Sequence, residues 1–107
     1  MNKMLLKFLP EYQCTCLWKM EKDIYTPVVS YAELGLPLDL IASLEAFDLA
    51  IMNIIDWDDP SGPSPLTIEE RLTLYHTGLA LYEKVNAFLK EDYNMSNHLD
   101  WINPLKH

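Results

Sequence analysis

Cysteine, glycine and basic side chains are all scarce in this chain, and each shortage removes a class of protein. Cys14 and Cys16 are the only cysteines among 107 residues, which excludes the disulfide framework on which small secreted domains rely. The three glycines are isolated from one another, so neither a glycine-rich phosphate loop nor a serine-bearing nucleophile elbow can be built. Eight basic residues face sixteen acidic ones, a formal net charge of -8 that repels nucleic-acid phosphates and anionic lipid headgroups. DNA, RNA and membrane surfaces are therefore poor partners, and a basic protein is a good one. A plainer reading, that the charge serves solubility, carries equal weight. Long apolar runs are missing as well. The most apolar region, Leu34 to Trp57, is interrupted by Asp39, Glu45 and Asp48, whose charges are costly in hydrocarbon. The apolar stretch around Lys3 and Lys7 is too short for a signal-peptide core and has no small-residue cleavage site after it. Export is not expected, and the cytoplasm is the expected location.

What is present suits a globular protein: half of the residues are hydrophobic and 22% are charged. The length predicts a single domain over residues 1–107 with one core. Tyr12, Cys14, Cys16 and Trp18 alternate in a segment, Tyr12 to Met20, rich in residues that suit a strand, and this predicts a half-buried strand. A polar turn at Glu21, Lys22 and Asp23 leads to a second arm, Ile24 to Val29, which Pro27 confines to a sheet edge. Ser30 and Glu33 have capping-box spacing, but Gly35 and Pro37 limit any helix there to one turn over Tyr31 to Leu34.

Two longer helices follow. Asp39 is a candidate N-cap for the first, in which Leu40, Ile41, Leu44, Phe47, Ile51, Ile54 and Ile55 recur at helical spacing up to about Asp56, with Glu45 and Asp48 on the opposite face. The prolines, serines and glycine of Trp57 to Pro65 make a loop. Thr67 and Glu70 form a capping box ahead of a second helix from Ile68 to Glu91, whose apolar face is read as Leu72, Tyr75, Leu79, Tyr82, Val85, Phe88 and Leu89. Gly78 inside it costs up to about 1 kcal/mol relative to alanine, which points to close packing against the first helix or the sheet. From Tyr93 to His107 strand, short helix and draped coil all remain open. The order predicts an α+β fold, mainly helical, with a two-helix antiparallel hairpin packed on a small N-terminal antiparallel sheet.

Few constellations for chemistry are visible. Cys14 and Cys16 lack the further ligands that zinc requires, and His76, His98 and His107 are scattered. Asp56, Asp58, Asp59, Ser61 and Gly62 resemble the start of a calcium loop, but counting from Asp56 puts Ser61 where glycine is required and Thr67 where the bidentate glutamate belongs, and counting from Asp58 puts Pro60 and Pro63 at ligand and glycine positions. No catalytic residue, cofactor or metal is assigned. As a contact surface the loop reads better, because Trp57 stands beside Asp56, Asp58 and Asp59 on a proline-stiffened segment, an aromatic anchor ringed by charge. Trp57 sealing the end of the first helix is the competing reading.

Four features stand together: Leu9, Pro10, Glu11, Tyr12, Cys14, Leu17 and Trp18; the Leu36, Pro37, Leu38 opening to the first helix; Trp57, Asp58, Asp59 and Pro60; and the second helix with Glu69, Glu70 and Gly78. In these the chain resembles the small acidic immunity proteins encoded beside polymorphic and contact-dependent-inhibition toxins of bacteria. Two stretches depart from that pattern, Lys19 to Leu36 and the tail from Asn94. The resemblance implies a cognate toxin, often a basic nuclease domain, whose active site or substrate surface the acidic protein blocks. The contact residues expected on that basis are Asp56, Trp57, Asp58 and Asp59 with Glu45 and Asp48. Two rivals stay open: an adaptor or homodimer assembling through its helices, and a small metal-dependent hydrolase using His98, Asp100 and the loop carboxylates.

Overall fold

In the computed structural model, which describes residues 3–11, 15–28, 30–56, 58–59 and 61–105, the apolar run near the N-terminus is a strand of the sheet interior. β1 (Met4–Phe8) lies between β2 (Leu17–Glu21) and β4 (Tyr93–Asn97), and β3 (Ile24–Pro27) completes the order β3-β2-β1-β4. β1 pairs antiparallel with β2 and parallel with β4, so the N-terminal antiparallel sheet gains a fourth strand from the tail. Side chains alternate along β1. Leu6 and Phe8 are fully buried, while the alternate positions Leu5 and Lys7 belong to the other face. There Lys7 Nζ sits 4.1 Å from the centre of the Tyr25 ring.

The β2–β3 hairpin closes through Lys22 and Asp23, whose φ angles of 50° and 67° give the doubly left-handed turn that matches strand twist. β3 is an edge strand, where Pro27, which has no N–H to donate, is tolerated. The first predicted strand is shorter than its composition suggests and begins at Leu17. Cys16 lies on a bend just before it, and Cys16 and Leu17 are both fully buried, so the alternation read from Tyr12 does not carry through. Tyr12, Cys14 and Val29 lie outside the described residues.

A single 3-10 turn occupies Tyr31–Leu34, capped by the Ser30 side chain and ended by Gly35 in the left-handed region. α1 (Leu38–Ile51) starts two residues earlier than Asp39 would allow as a cap. Pro37 holds the N-cap position, and Asp39 lies in the first turn, where its carboxylate meets the positive end of the helix dipole. A 3-10 turn, Met52–Ile54, ends the helical path before Asp56. α2 (Ile68–Leu89) opens with the predicted capping box: the Thr67 hydroxyl accepts from the Glu70 amide at 3.1 Å, and Glu70 Oε1 accepts from the Thr67 amide at 2.9 Å.

The core faces of the helices meet the inward face of the sheet. From α1, Leu40, Leu44, Phe47 and Ile51 are buried, as their spacing predicts. The buried face of α2 is turned from the predicted one: Leu74, Gly78 and Leu81 join Val85 and Leu89, whereas Tyr75, Leu79 and Tyr82 are only partly buried and Phe88 is 58% exposed. A β-carbon on Gly78 would lie 2.9 Å from both Phe47 and Leu99, so glycine allows α2 to approach α1 and the tail at that level. Phe8 joins sheet to helices, edge-on to Tyr82 at 5.8 Å and tilted to Phe47 at 6.5 Å. Past β4 a 3-10 turn, Asp100–Ile102, buries Leu99 and Ile102, and it is fastened by Trp101 Nε1 donating to the Pro10 carbonyl and Arg71 donating to the Trp101 carbonyl.

Candidate functional site

Of the six residues expected to meet a partner, the described ones fall in two separate places, one beside α1 and one beyond its end. Helical spacing sets Glu45 and Asp48 on the flank toward the 3-10 turn of Tyr31, and they line one recess with Tyr31 and Ser30. Asp56 and Asp58 lie beyond the far end of α1 and line a separate recess with Asn53, Pro65 and Leu66. Trp57 falls outside the described residues.

Asp48 is tied into the fold. Its Oδ1 accepts from the Cys16 thiol at 2.7 Å and its Oδ2 accepts from the Tyr31 hydroxyl at 2.6 Å. The same hydroxyl accepts from the Cys16 backbone amide at 2.8 Å. The carboxylate thus clamps the start of β2 and the 3-10 turn to α1. Burial raises the pKa of Asp48 against the two hydrogen bonds that favour its charge. Burial, and next the charge of Asp48, pushes the Cys16 thiol well above its ordinary value. Burial likewise raises Tyr31. Both groups therefore stay protonated and act as donors. The sequence carries no signal for this network, because Cys16, Tyr31 and Asp48 are far apart in the chain.

The loop acids are arranged differently. Asp56 Oδ1 accepts from the Asp58 amide at 3.0 Å, and the Asp56 carbonyl accepts from the Asp59 amide, so Asp56 shapes the turn that presents Asp58 and Asp59. Gly62 donates to the Asp59 carbonyl, and a β-carbon at Gly62 would collide with the Asp59 carboxyl group. Asp56, Asp58 and Asp59 are exposed, as is Glu45. Unlike the half-buried Asp48, each of these four can meet a cation at the surface.

The residues of the hydrolase reading are not assembled. His98 and Asp100 line a recess with Trp101, the His98 ring pairs with Ser96 Oγ at 2.9 Å, and the loop acids line a different recess. Among the described residues no three His, Cys, Asp or Glu side chains gather as a metal site.

Sequence reasoning missed one further feature. Between α1 and α2 runs a groove of about 450 Å³ with Phe47 and Leu74 in its lining and no strand residue among those that line it. Asn53 and Leu66 line this groove and also the recess of Asp56 and Asp58, so the two join. The only advance signal was the run of small residues at Ser43, Ala46 and Ala50 on one flank of α1.

Against this geometry, the sequence matches the Serratia CdiI immunity protein-like family over residues 4–98. The chain belongs to that family. It is an immunity protein of contact-dependent inhibition systems, and its family implies a cognate toxin as partner. No curated protein matches the sequence. The match runs from the first residue of β1 through the last residue of β4 to His98, so it takes in part of the tail that the sequence motifs left out. In the immunity protein the whole sheet and the helical hairpin are thus family features, whereas Trp101 and Ile102 lie beyond the matched span. No described helix is long and apolar enough to cross a membrane.

Proposed function

We propose that the protein neutralises its cognate toxin, a basic nuclease domain, by covering the toxin's active or substrate-binding surface with its acidic loop. Asp56, Asp58 and Asp59 make the contact, with Trp57 as the aromatic anchor and Glu45 adding charge from the neighbouring face of α1. Asp48 acts from behind, by holding α1 against β2 and the 3-10 turn. The observation that supports this most is the exposure of the loop acids on a turn ordered by Asp56, in a chain of net charge -8 from an immunity family. A nuclease surface shaped for phosphates is cationic, and carboxylates presented on a stiff turn compete for it with little ordering entropy. The protein works by binding, with no reaction of its own.

The test is co-expression with the toxin domain encoded beside it. Cells are expected to survive, the two chains to co-purify, and nucleic-acid cleavage by the toxin to stop at equimolar immunity protein. Failure to protect cells and to form a complex overturns the reading. A toxin that proves to have no action on nucleic acid removes the nuclease assignment alone.

A further inference from the structure

We infer that the furrow between α1 and α2 is a docking site for a short amphipathic helix of the cognate toxin, seated by apolar side chains and carrying Lys or Arg at the end that meets Asp56 and Asp58. This rests on the proposed toxin-binding role and assigns it a surface that the loop alone does not supply.

The furrow has the shape of a helix seat. The α1 flank offers Ser43, Ala46 and Ala50, and the α2 flank offers Thr73 and Thr77, all small enough for a third backbone to lie close. Between two antiparallel helices this leaves the position a third helix takes in a bundle, where axes lie roughly 8–10 Å apart. Phe47 and Leu74 provide the apolar floor, and apolar anchors repeating every three or four residues would lie along it. Ser43 also lines a recess bounded by Asp39, Lys84 and Phe88, which extends the furrow to the start of α1. Along the 14 residues of α1 this is a length of about 21 Å.

Charge fixes the chemistry of the occupant. One end of the furrow opens on Asp56 and Asp58, and Glu70 stands on its rim, while Lys84, the one cation among the described residues that line it, is at the other end beside Asp39. An apolar helix with a cationic end is complementary to this layout, and an acidic segment is not. Phe88, exposed where the second helical face predicted a buried side chain, has a place at the far end as a contact for the occupant.

The test uses the full chain and its toxin domain. Ala46→Arg with Thr77→Arg places bulk and positive charge in the furrow at two exposed positions. The pair is expected to weaken toxin binding by about a hundredfold, as loss of a central contact does, with circular dichroism and thermal unfolding unchanged. Ala87→Arg, on the outer face of α2, is expected to leave affinity unchanged. Independently of any substitution, amide NMR shifts on toxin binding are expected to cluster at residues 43–59 and 66–77. If the unsubstituted protein binds the toxin but the furrow pair binds equally well, or Ala87→Arg does equal harm, or the shifts fall elsewhere, the furrow assignment is overturned and the immunity reading stands. Absence of binding by the unsubstituted protein overturns that reading as well.

Discussion

Asp48 shows how a surface-looking acid can be structural. In the sequence it shares a polar helix face with Glu45, but in the fold its two oxygens take the Cys16 thiol and the Tyr31 hydroxyl. Removing the carboxylate would leave the buried thiol and the Tyr31 hydroxyl without their acceptor, and an unpaired buried polar group costs about 1–3 kcal/mol. The charge itself is less welcome than the hydrogen bonds, because burial raises the Asp48 pKa above its unfolded value. The native state then holds this proton more tightly than the unfolded chain does. Its contribution to stability is fully present below the unfolded pKa and is lost as pH rises through the raised folded value. Asp48→Asn keeps an acceptor and removes the titration. Urea unfolding at pH 4 and pH 7 is expected to show the parent losing stability relative to Asp48→Asn as pH rises. A difference that is flat, or that grows in the parent's favour, would refute the assignment.

At the scale of elements, the contact between α1 and α2 depends on Gly78. Helix propensity alone favours alanine there by about 1 kcal/mol. Packing opposes it, since a β-carbon would press on Phe47 and Leu99, both buried, and overfilling a core costs about 1–3 kcal/mol. Gly78→Ala is therefore expected to be net destabilising by about 1 kcal/mol in urea unfolding, the opposite sign to the propensity. A more stable variant would mean that the helices pack less closely at this level than described. Legibility in the sequence follows the same division between local and long-range causes. Thr67 with Glu70, the Lys22 and Asp23 turn, and the Leu40, Leu44, Phe47 periodicity are local, so spacing alone revealed α2's start, the hairpin and the core face of α1. β1 was not legible, because Leu5, Leu6 and Phe8 read as one short apolar run until β2 and β4 on either side give Leu6 and Phe8 an inward face. The face of α2 departs from its apolar pattern at Phe88 because side-chain size does not signal the burial of Gly78, which follows from what Phe47 and Leu99 require. Of the candidate site, the acidity of residues 56–59 could be read directly. Its junction with the furrow could not, since Asn53 and Leu66 come together only when the helices pair.

For the molecule as a whole, the distribution of charge matters more than its total. Uniform acidity would slow nothing but self-association, whereas carboxylates gathered at one end of an otherwise small-residue and apolar furrow orient an approaching cationic domain before contact. Steering of this kind acts on the association rate and is weakened by salt, because the Debye length falls from about 30 Å at 0.01 M to about 10 Å at 0.1 M. Apolar contacts in the furrow act after docking and set dissociation. The two contributions should therefore separate in kinetics. Replacing Asp56, Asp58 and Asp59 by Asn is expected to slow association with the toxin domain by about tenfold at low salt and to flatten its salt dependence, with dissociation changed far less. Stopped-flow mixing over a range of ionic strength measures both rates. A triple variant that associates at the parent rate at low salt would place the steering field on other acids of the chain and take the loop out of the encounter.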